Sequence, residues 1–285
     1  MDCQVEHATG VNCDAVHVGT VRVRNRATQS VSIRVDNQPL WLTLPAPDCE
    51  IAPGIRWGDV DECYRPAFWC HHAWRRRLDS PLQSRYALGA DLGEEVAACL
   101  LGGFGVRGEI GVAAFEMLRA EGLLSGSSFS AGAFERALRV PLRVGARSVR
   151  YRFPALKGRY LALALSELSE SDPPIESREL RNWLQRLPGV GPKTASWIVR
   201  NRDATARVAI LDIHIVRACQ IIGLFPGRCS LPRDYDALEQ RFLWLADQMC
   251  VAPSDLDATM WAEMRVAPAP ASKALSRRRR ADWRD

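Results

Sequence analysis

The chain has 285 residues, 47% of them hydrophobic and 25% charged, which supports a buried core and an ordinary soluble surface and excludes a low-hydrophobicity disordered chain. The balance of 38 basic against 33 acidic residues, a net +5, is mildly basic: it is compatible with nucleic acid without requiring it. No apolar run is long enough to cross a membrane and no signal-peptide pattern opens the chain, so the expected compartment, for a bacterial source, is the cytoplasm.

Residues 1–20 carry no strong pattern. From residue 16 to 35 apolar residues alternate: Val16, Val18, Val21 and Val23, then Val31, Ile33 and Val35. A period of two predicts β-strands, with a polar turn over 25–29. Residues 40–44 give a third strand, ended by Pro45 and Pro47. A small antiparallel sheet is therefore expected over roughly 15–55, and Pro53 to Gly58 reads as a turn-rich link. Residues 59–78 hold Phe68, Trp69 and Trp74 beside Arg75, Arg76 and Arg77. Two readings stand level: a cluster facing nucleic acid, or a helix with a buried aromatic face and a solvated basic one.

From residue 92 the apolar spacing turns helical. Helices are expected over 92–101, 107–121, 131–138, 157–170 and 176–187. Gly102, Gly103 and Gly105 break the chain between the first two, around Phe104. Residues 147–153 form a basic, extended stretch, either tracking a phosphate backbone or serving as a polar connector. Further helices are expected from Asp212 to about Ile222, over 230–249, and over 254–264. The last carries Met260, Trp261 and Met264. The tail from Ala267 is rich in alanine and proline and ends in four arginines, 277–280, which reads as disordered with nonspecific electrostatic affinity for DNA.

Nine cysteines are scattered, an odd count without a framework, so reduced thiols are expected. Cys63, Cys70, His71 and His72 fit no strong zinc spacing, and no metal site is expected.

The most informative stretch runs from Leu187 to His214. Leu180, Trp183, Leu184 and Leu187 repeat at helical spacing, and Pro188 stops that helix. Gly189 and Gly191, flanking Val190, allow a tight hairpin, and Pro192 suits the first position of a second helix. The residues spell helix, glycine hairpin, helix, over about 177–202. A hairpin of this kind leaves a helix start with no side chain in front of its N–H groups, a site for a phosphate. Asp212 precedes the next helix as an N-cap, accepting N–H bonds from around His214 and Ile215.

Leu187-Pro188-Gly189-Val190-Gly191, the following Lys193, and Asp212 with His214 closely resemble the helix-hairpin-helix glycosylase superfamily of base-excision DNA repair. Hairpin, lysine and downstream aspartate together are a specific signature, and Lys193 is similar to the lysine of the bifunctional branch. The whole chain looks most like the 8-oxoguanine DNA glycosylase/AP lyase group. The resemblance is strongest over roughly 90–265. It implies a mostly α (α+β) fold: a two-lobed helical core over 91–265, an N-terminal β-rich region over 1–90, and a basic tail over 266–285. It implies a lysine that attacks the sugar, an aspartate that assists, double-stranded DNA as partner, no membrane and a monomer. Some relatives hold an iron–sulfur cluster on four closely spaced cysteines. Only Cys219, Cys229 and Cys250 follow Asp212, widely spaced, so no cluster and no other cofactor is expected. A monovalent cation at the hairpin is compatible with the resemblance.

The residue types suit this chemistry. Breaking a base–sugar bond builds positive charge on C1′. A neutral amine attacks such a carbon and forms a Schiff base. A free lysine has a pKa of about 10.4, so burial and a place in a first helical turn are the expected means of lowering it. A capped aspartate stays ionised and stabilises the cationic sugar. Singly, a lysine in a first turn is a solvated surface residue and an aspartate before a helix is a cap; the set is what points to catalysis. His214 is either a phosphate donor or a structural imidazole.

Three aromatic residues are candidates for the base pocket. Phe104 sits where a loop of relatives pushes side chains into the duplex, or in a plain interhelical turn. Trp261 lies on a late helix that helps line the pocket in relatives, or is a core tryptophan. Trp197 follows Lys193 by four residues, on the same helix face. In several 8-oxoguanine enzymes a small cysteine stands there and contacts the base. Trp197 either stacks on an extruded base or packs the core. This departure leaves three functions in play: 8-oxoguanine excision in repair, excision of a bulky hypermodified base such as a modified cytosine from phage DNA, and a noncatalytic DNA-binding module.

Overall fold

The computed structural model describes residues 22–24, 27–35, 38–78, 86–103, 105–126, 128–266 and 274. Strands β1 (Arg22–Arg24), β2 (Thr28–Val35) and β3 (Gln38–Pro45) form an antiparallel sheet in that order. Val31 pairs with Leu42 and Ile33 with Leu40. Val31, Ile33, Leu42 and Leu44 are all buried, so the sheet buries the alternation read from the sequence. Val16, Val18, Val21 and residues 25–26 of the expected turn lie outside the described residues, and β2 takes in residues 28–29 of that turn.

The link at 53–58 is more ordered than expected. β4 (Glu50–Ala52) and β5 (Ile55–Arg56) make a short hairpin whose turn uses Gly54 at φ +74°. Gln29 then joins sheet to link: its amide donates to the Pro45 and Gly58 carbonyls and accepts from the Val60 N–H. Helix α1 (Pro66–Leu78) follows. Phe68, Trp69 and Trp74 are buried while Arg76 and Arg77 are exposed, so of the two readings the buried aromatic face holds.

Next come α2 (Leu92–Leu101), α3 (Gly108–Ala120), α4 (Ala131–Arg139), β6 (Leu142–Val144), β7 (Arg147–Val149), α5 (Pro154–Ser169), α6 (Ser177–Leu184) and α7 (Pro192–Arg202). The basic stretch at 147–153 is thus in part a strand, paired with β6 around Gly145 at φ +58°. The chain closes its described part with α8 (Ile213–Ile222), α9 (Tyr235–Gln248) and α10 (Pro253–Val266). The fold is mostly helical with small antiparallel sheets, the expected α+β class. The residues of the expected tail beyond Val266, Ala274 apart, lie outside the described residues.

The chain divides into two compact units that are not consecutive in sequence. One holds residues 1–83 and 211–285, where α10 packs on both α1 and α8. The other holds residues 84–210. Expectation divided the chain into 1–90, 91–265 and 266–285; by contact, the segment after residue 210 groups with the N-terminal part.

In the 84–210 unit α5 packs closely on α4, and a Cβ on Gly158 would lie 2.9 Å from the Glu135 nitrogen. A buried carboxylate interrupts this core. Glu95 is fully buried on α2. Its carboxylate accepts from Leu88 N (2.8 Å), Gly89 N (2.9 Å) and the Asn201 side-chain amide (2.6 Å). The Cys99 thiol adds a fourth donor at 3.6 Å. Glu95 ties the segment before α2 to α2 itself and to the far end of α7, and these donors are what make its burial tolerable.

Candidate active site

The hairpin belongs to the 84–210 unit. Glu176 caps α6 by accepting from the Arg178 and Glu179 N–H groups, and those bonds hold its carboxyl below the usual range. Leu180 and Leu184 of α6 are buried, and so is Leu187, three residues beyond its end. Beyond Pro188 the chain reverses through Gly189 at φ +84°. Glycine is needed there twice over, because a Cβ would lie 2.4 Å from Cδ2 of the Tyr160 ring. Val190 is buried and donates its N–H to Leu187 O at 3.1 Å, pinning the turn.

Gly191 is the N-cap of α7 and offers no side-chain acceptor. A Cβ placed on it would meet nothing within 4 Å, so the space before the helix is open. Pro192 takes the first helical position, as expected, and Lys193 the second, half-buried. At the other end of the motif Ser177 Oγ donates to Asp203 Oδ2 at 2.7 Å, clipping the start of α6 to the C-cap of α7. Burial alone would raise the Asp203 carboxyl, but hydrogen bonds from Thr205, Ser177 and Ala206 outweigh it and hold the group low.

Lys193, Trp197 and Arg200 follow one face of α7. Trp197 is half-buried, so it is neither a full core residue nor a surface one. Its six-membered ring lies against Gly102, the C-cap of α2, where a Cβ would come within 2.9 Å of Cη2 and 3.1 Å of Cζ3. The end of α2 is in turn held by side chains. Lys157 Nζ donates to the Leu100 and Gly102 carbonyls, and Tyr151 Oη to Leu101 O at 2.7 Å. Burial lowers the Lys157 ammonium and raises the Tyr151 phenol. Arg200, further along the face, stacks over the Tyr86 ring at 4.1 Å. Phe104 lies outside the described residues.

Asp212 and His214 belong to the other unit. Asp212 caps α8 as expected: Oδ1 accepts from His214 N at 2.8 Å and Ile215 N at 3.1 Å. Leu211 and Ile215, to either side, are buried, and Leu211 N donates to Tyr235 Oη at 3.2 Å, so the cap is fixed to the core of its unit. His214 is half-buried and Ile213 exposed. Trp261 is not a core tryptophan. It is 39% exposed and Arg265 lies 4.5 Å above its ring, while Met260 and Met264 take the buried face of α10.

Cys63, Cys70, His71 and His72 have separate surroundings: Cys70 Sγ donates to Met249 O and His72 Nδ1 lies 3.2 Å from Glu263. Among the described residues no three His, Cys, Asp or Glu side chains are grouped to hold a metal, and none of the seven described cysteines is in a disulfide. No described helix is long and apolar enough to cross a membrane. Sequence reasoning missed Glu95, Lys157, Tyr151 and the Ser177–Asp203 clip. Each acts across a long gap in the chain and leaves no local pattern.

Residues 86–251 match the family described as Ogg-HhH, 8-oxoguanine DNA glycosylase, a span containing the hairpin, Lys193, Trp197, Asp212 and His214. Among solved structures the chain is similar to the Methanocaldococcus jannaschii 8-oxoguanine glycosylase/lyase in complex with a 15mer DNA containing 8-oxoguanine. The TM-score is 0.51 at 20% identity, over 68% of this chain and 95% of that one. It is also similar to the 8-oxoguanine DNA glycosylase of Thermotoga maritima, with a TM-score of 0.49 and 22% identity over 69% and 96% of the two chains. A trapped endonuclease III–DNA covalent intermediate gives a TM-score of 0.47 and 15% identity over 68% and 82%. A comparison with curated proteins gave no match. With more than half its length in the family match, on a mostly helical fold carrying the glycine hairpin, the chain belongs to the Ogg-type helix-hairpin-helix family of 8-oxoguanine DNA glycosylases.

Proposed function

We propose that this protein is a bifunctional DNA glycosylase and AP lyase that removes 8-oxoguanine from duplex DNA and nicks the strand. The observation that carries the reading is Lys193 in the first turn of α7, directly behind an uncapped glycine hairpin and on the helix face of Trp197. The enzyme acts as a monomer on double-stranded DNA in the cytoplasm and needs no cofactor. The hairpin amides and His214 take the phosphate backbone, and the target nucleotide leaves the stack to enter the pocket, at a cost of about a few kcal/mol.

In the reaction the Lys193 amine, as free base, forms a bond to C1′ while the C1′–N bond breaks and the base leaves with that electron pair and takes a proton. Opening of the sugar gives the Schiff base. Loss of a C2′ proton then expels the 3′ phosphate and cleaves the strand. Asp212 stabilises the cationic sugar, its carboxylate fixed by two backbone N–H bonds.

Borohydride trapping tests the chemistry. A covalent adduct with an abasic duplex, lost in Lys193→Ala, is expected; intact binding without adduct or cleavage would leave a noncatalytic DNA-binding module. Trp197 favours one rival substrate, a bulky modified base such as a modified cytosine in phage DNA, because it shapes the α7 face next to Lys193. Duplexes with 8-oxoguanine are expected to lose the base. Release of modified cytosine with 8-oxoguanine duplexes left intact would transfer the assignment to that rival.

A further inference from the structure

We infer that Gly102 is a positioning residue for substrate recognition: it is the backstop that sets where the Trp197 indole stands beside Lys193, and through that ring it tunes which planar base is accepted. The inference rests on the glycosylase reading above. Gly102 has φ −85° and ψ −163°, which any residue adopts, so backbone conformation does not require glycine there. Space does. A Cβ at Gly102 would meet Cη2 of Trp197 at 2.9 Å and Cζ3 at 3.1 Å. To restore ordinary contact at 3.4 Å, ring or backbone has to retreat by about half an ångström.

The backbone is the stiffer partner. Lys157 Nζ holds the Leu100 and Gly102 carbonyls, and Tyr151 Oη holds Leu101 O. α3 also packs close behind this backbone: a Cβ added to Gly111 would lie 3.2 Å from the Gly102 Cα and 3.3 Å from Leu101 O. The ring therefore moves. Trp197 sits one helical turn beyond Lys193 on the same face, so its displacement alters the wall that an extruded base meets and leaves the amine in place. A base-free sugar has nothing to place against that wall. The pair therefore acts on base recognition rather than on Schiff-base formation.

The test compares two substrates in one variant. For Gly102→Ala, single-turnover excision from 8-oxoguanine duplex is divided by the rate of borohydride trapping on an abasic duplex. The ratio is expected to fall about tenfold, in line with the sensitivity of reaction rates to sub-ångström misplacement. Adding Trp197→Phe, which removes the ring atoms in contact, is expected to bring the Gly102→Ala ratio back to that of Trp197→Phe alone. Equal losses on both substrates, or a ratio unchanged from the parent, would overturn the inference, as would a Gly102→Ala effect that persists beside Trp197→Phe. Thermal unfolding of each variant identifies losses due to misfolding, and Lys157→Met, which loosens the backstop without touching the ring, supplies a second route to the same ratio change. If trapping is absent from the parent protein, the lyase reading fails instead; if trapping occurs without 8-oxoguanine release, the substrate assignment fails and the ratio is read on the base that is released.

Discussion

Replacing Gly189 by alanine separates two strains that the hairpin stores in one residue. The first is conformational: at φ +84° an L-residue brings its Cβ against its own carbonyl, which costs about 1–2 kcal/mol. The second is steric, since the new Cβ would lie 2.4 Å from Cδ2 and 2.7 Å from Cγ of Tyr160. Overpacking of this kind costs about 1–3 kcal/mol. The sum is about 3 kcal/mol. Urea unfolding followed by tryptophan fluorescence measures it, with Trp183 and Trp197 on the two helices that the hairpin joins. In a Tyr160→Ala background the ring is gone and only the conformational part remains, so the same substitution should cost about 1–2 kcal/mol there. A Gly189→Ala protein within about 0.5 kcal/mol of the parent, or one whose penalty ignores Tyr160, would refute the reasoning.

Other consequences can be measured separately. Asp212→Asn keeps a good N-cap, so stability should stay within about 0.5 kcal/mol, whereas loss of the anion should slow excision about a hundredfold or more; equal activity would leave Asp212 as a cap only. Glu95→Ala strands the Leu88, Gly89 and Asn201 donors and should destabilise by about 3–5 kcal/mol in urea unfolding. Asp203 has a folded-state pKa held below its ordinary value, so its contribution to stability is present above that ordinary value and disappears as pH falls through the folded one. Asp203→Asn should accordingly flatten the stability profile below about pH 4 and leave its slope near neutrality unchanged, as read from thermal midpoints across pH.

What the chain discloses locally, it discloses well. The alternation of Val31 and Ile33 is the buried face of β2, and Gly189 takes the positive φ read for the hairpin, although the helix before it ends at Leu184, sooner than the Pro188 stop implied. A cap is a local matter too, which is why the partners of Asp212 were readable as the two N–H groups that follow it. Positions whose meaning is supplied from far away were opaque. Gly102 reads as a loop glycine until Trp197, on another helix, is seen to occupy its side-chain space. Trp261 reads as core because tryptophan usually is, but the helix phase that buries Met260 and Met264 turns it outward beneath Arg265. The grouping of residues 211–285 with the N-terminal sheet has no signature in composition, since nothing in either segment names its neighbour.

Two helix starts in the motif region are built in opposite ways, and the proposed chemistry gives each its reason. α8 begins with Asp212, whose carboxylate already satisfies the His214 and Ile215 amides. Those two amides are taken, which leaves only the His214 side chain for a phosphate, and the negative charge is held at a defined point with little freedom to reorganise. α7 begins with Gly191, which supplies no acceptor and has open space where a side chain would be. Its positive end is left for an anion from outside the chain, and a phosphate of the backbone matches it in charge and in hydrogen-bonding capacity. Giving α7 a cap of its own, by Gly191→Asp, would place a carboxylate where that phosphate belongs. Stability should hold or rise by roughly a few tenths of a kcal/mol, since aspartate is a slightly better cap than glycine, while affinity for duplex DNA should fall about tenfold at low salt. The divergence of those two readouts is the expected sign of a helix start reserved for a ligand; a variant that gains stability and keeps its DNA affinity would remove the hairpin from the binding surface.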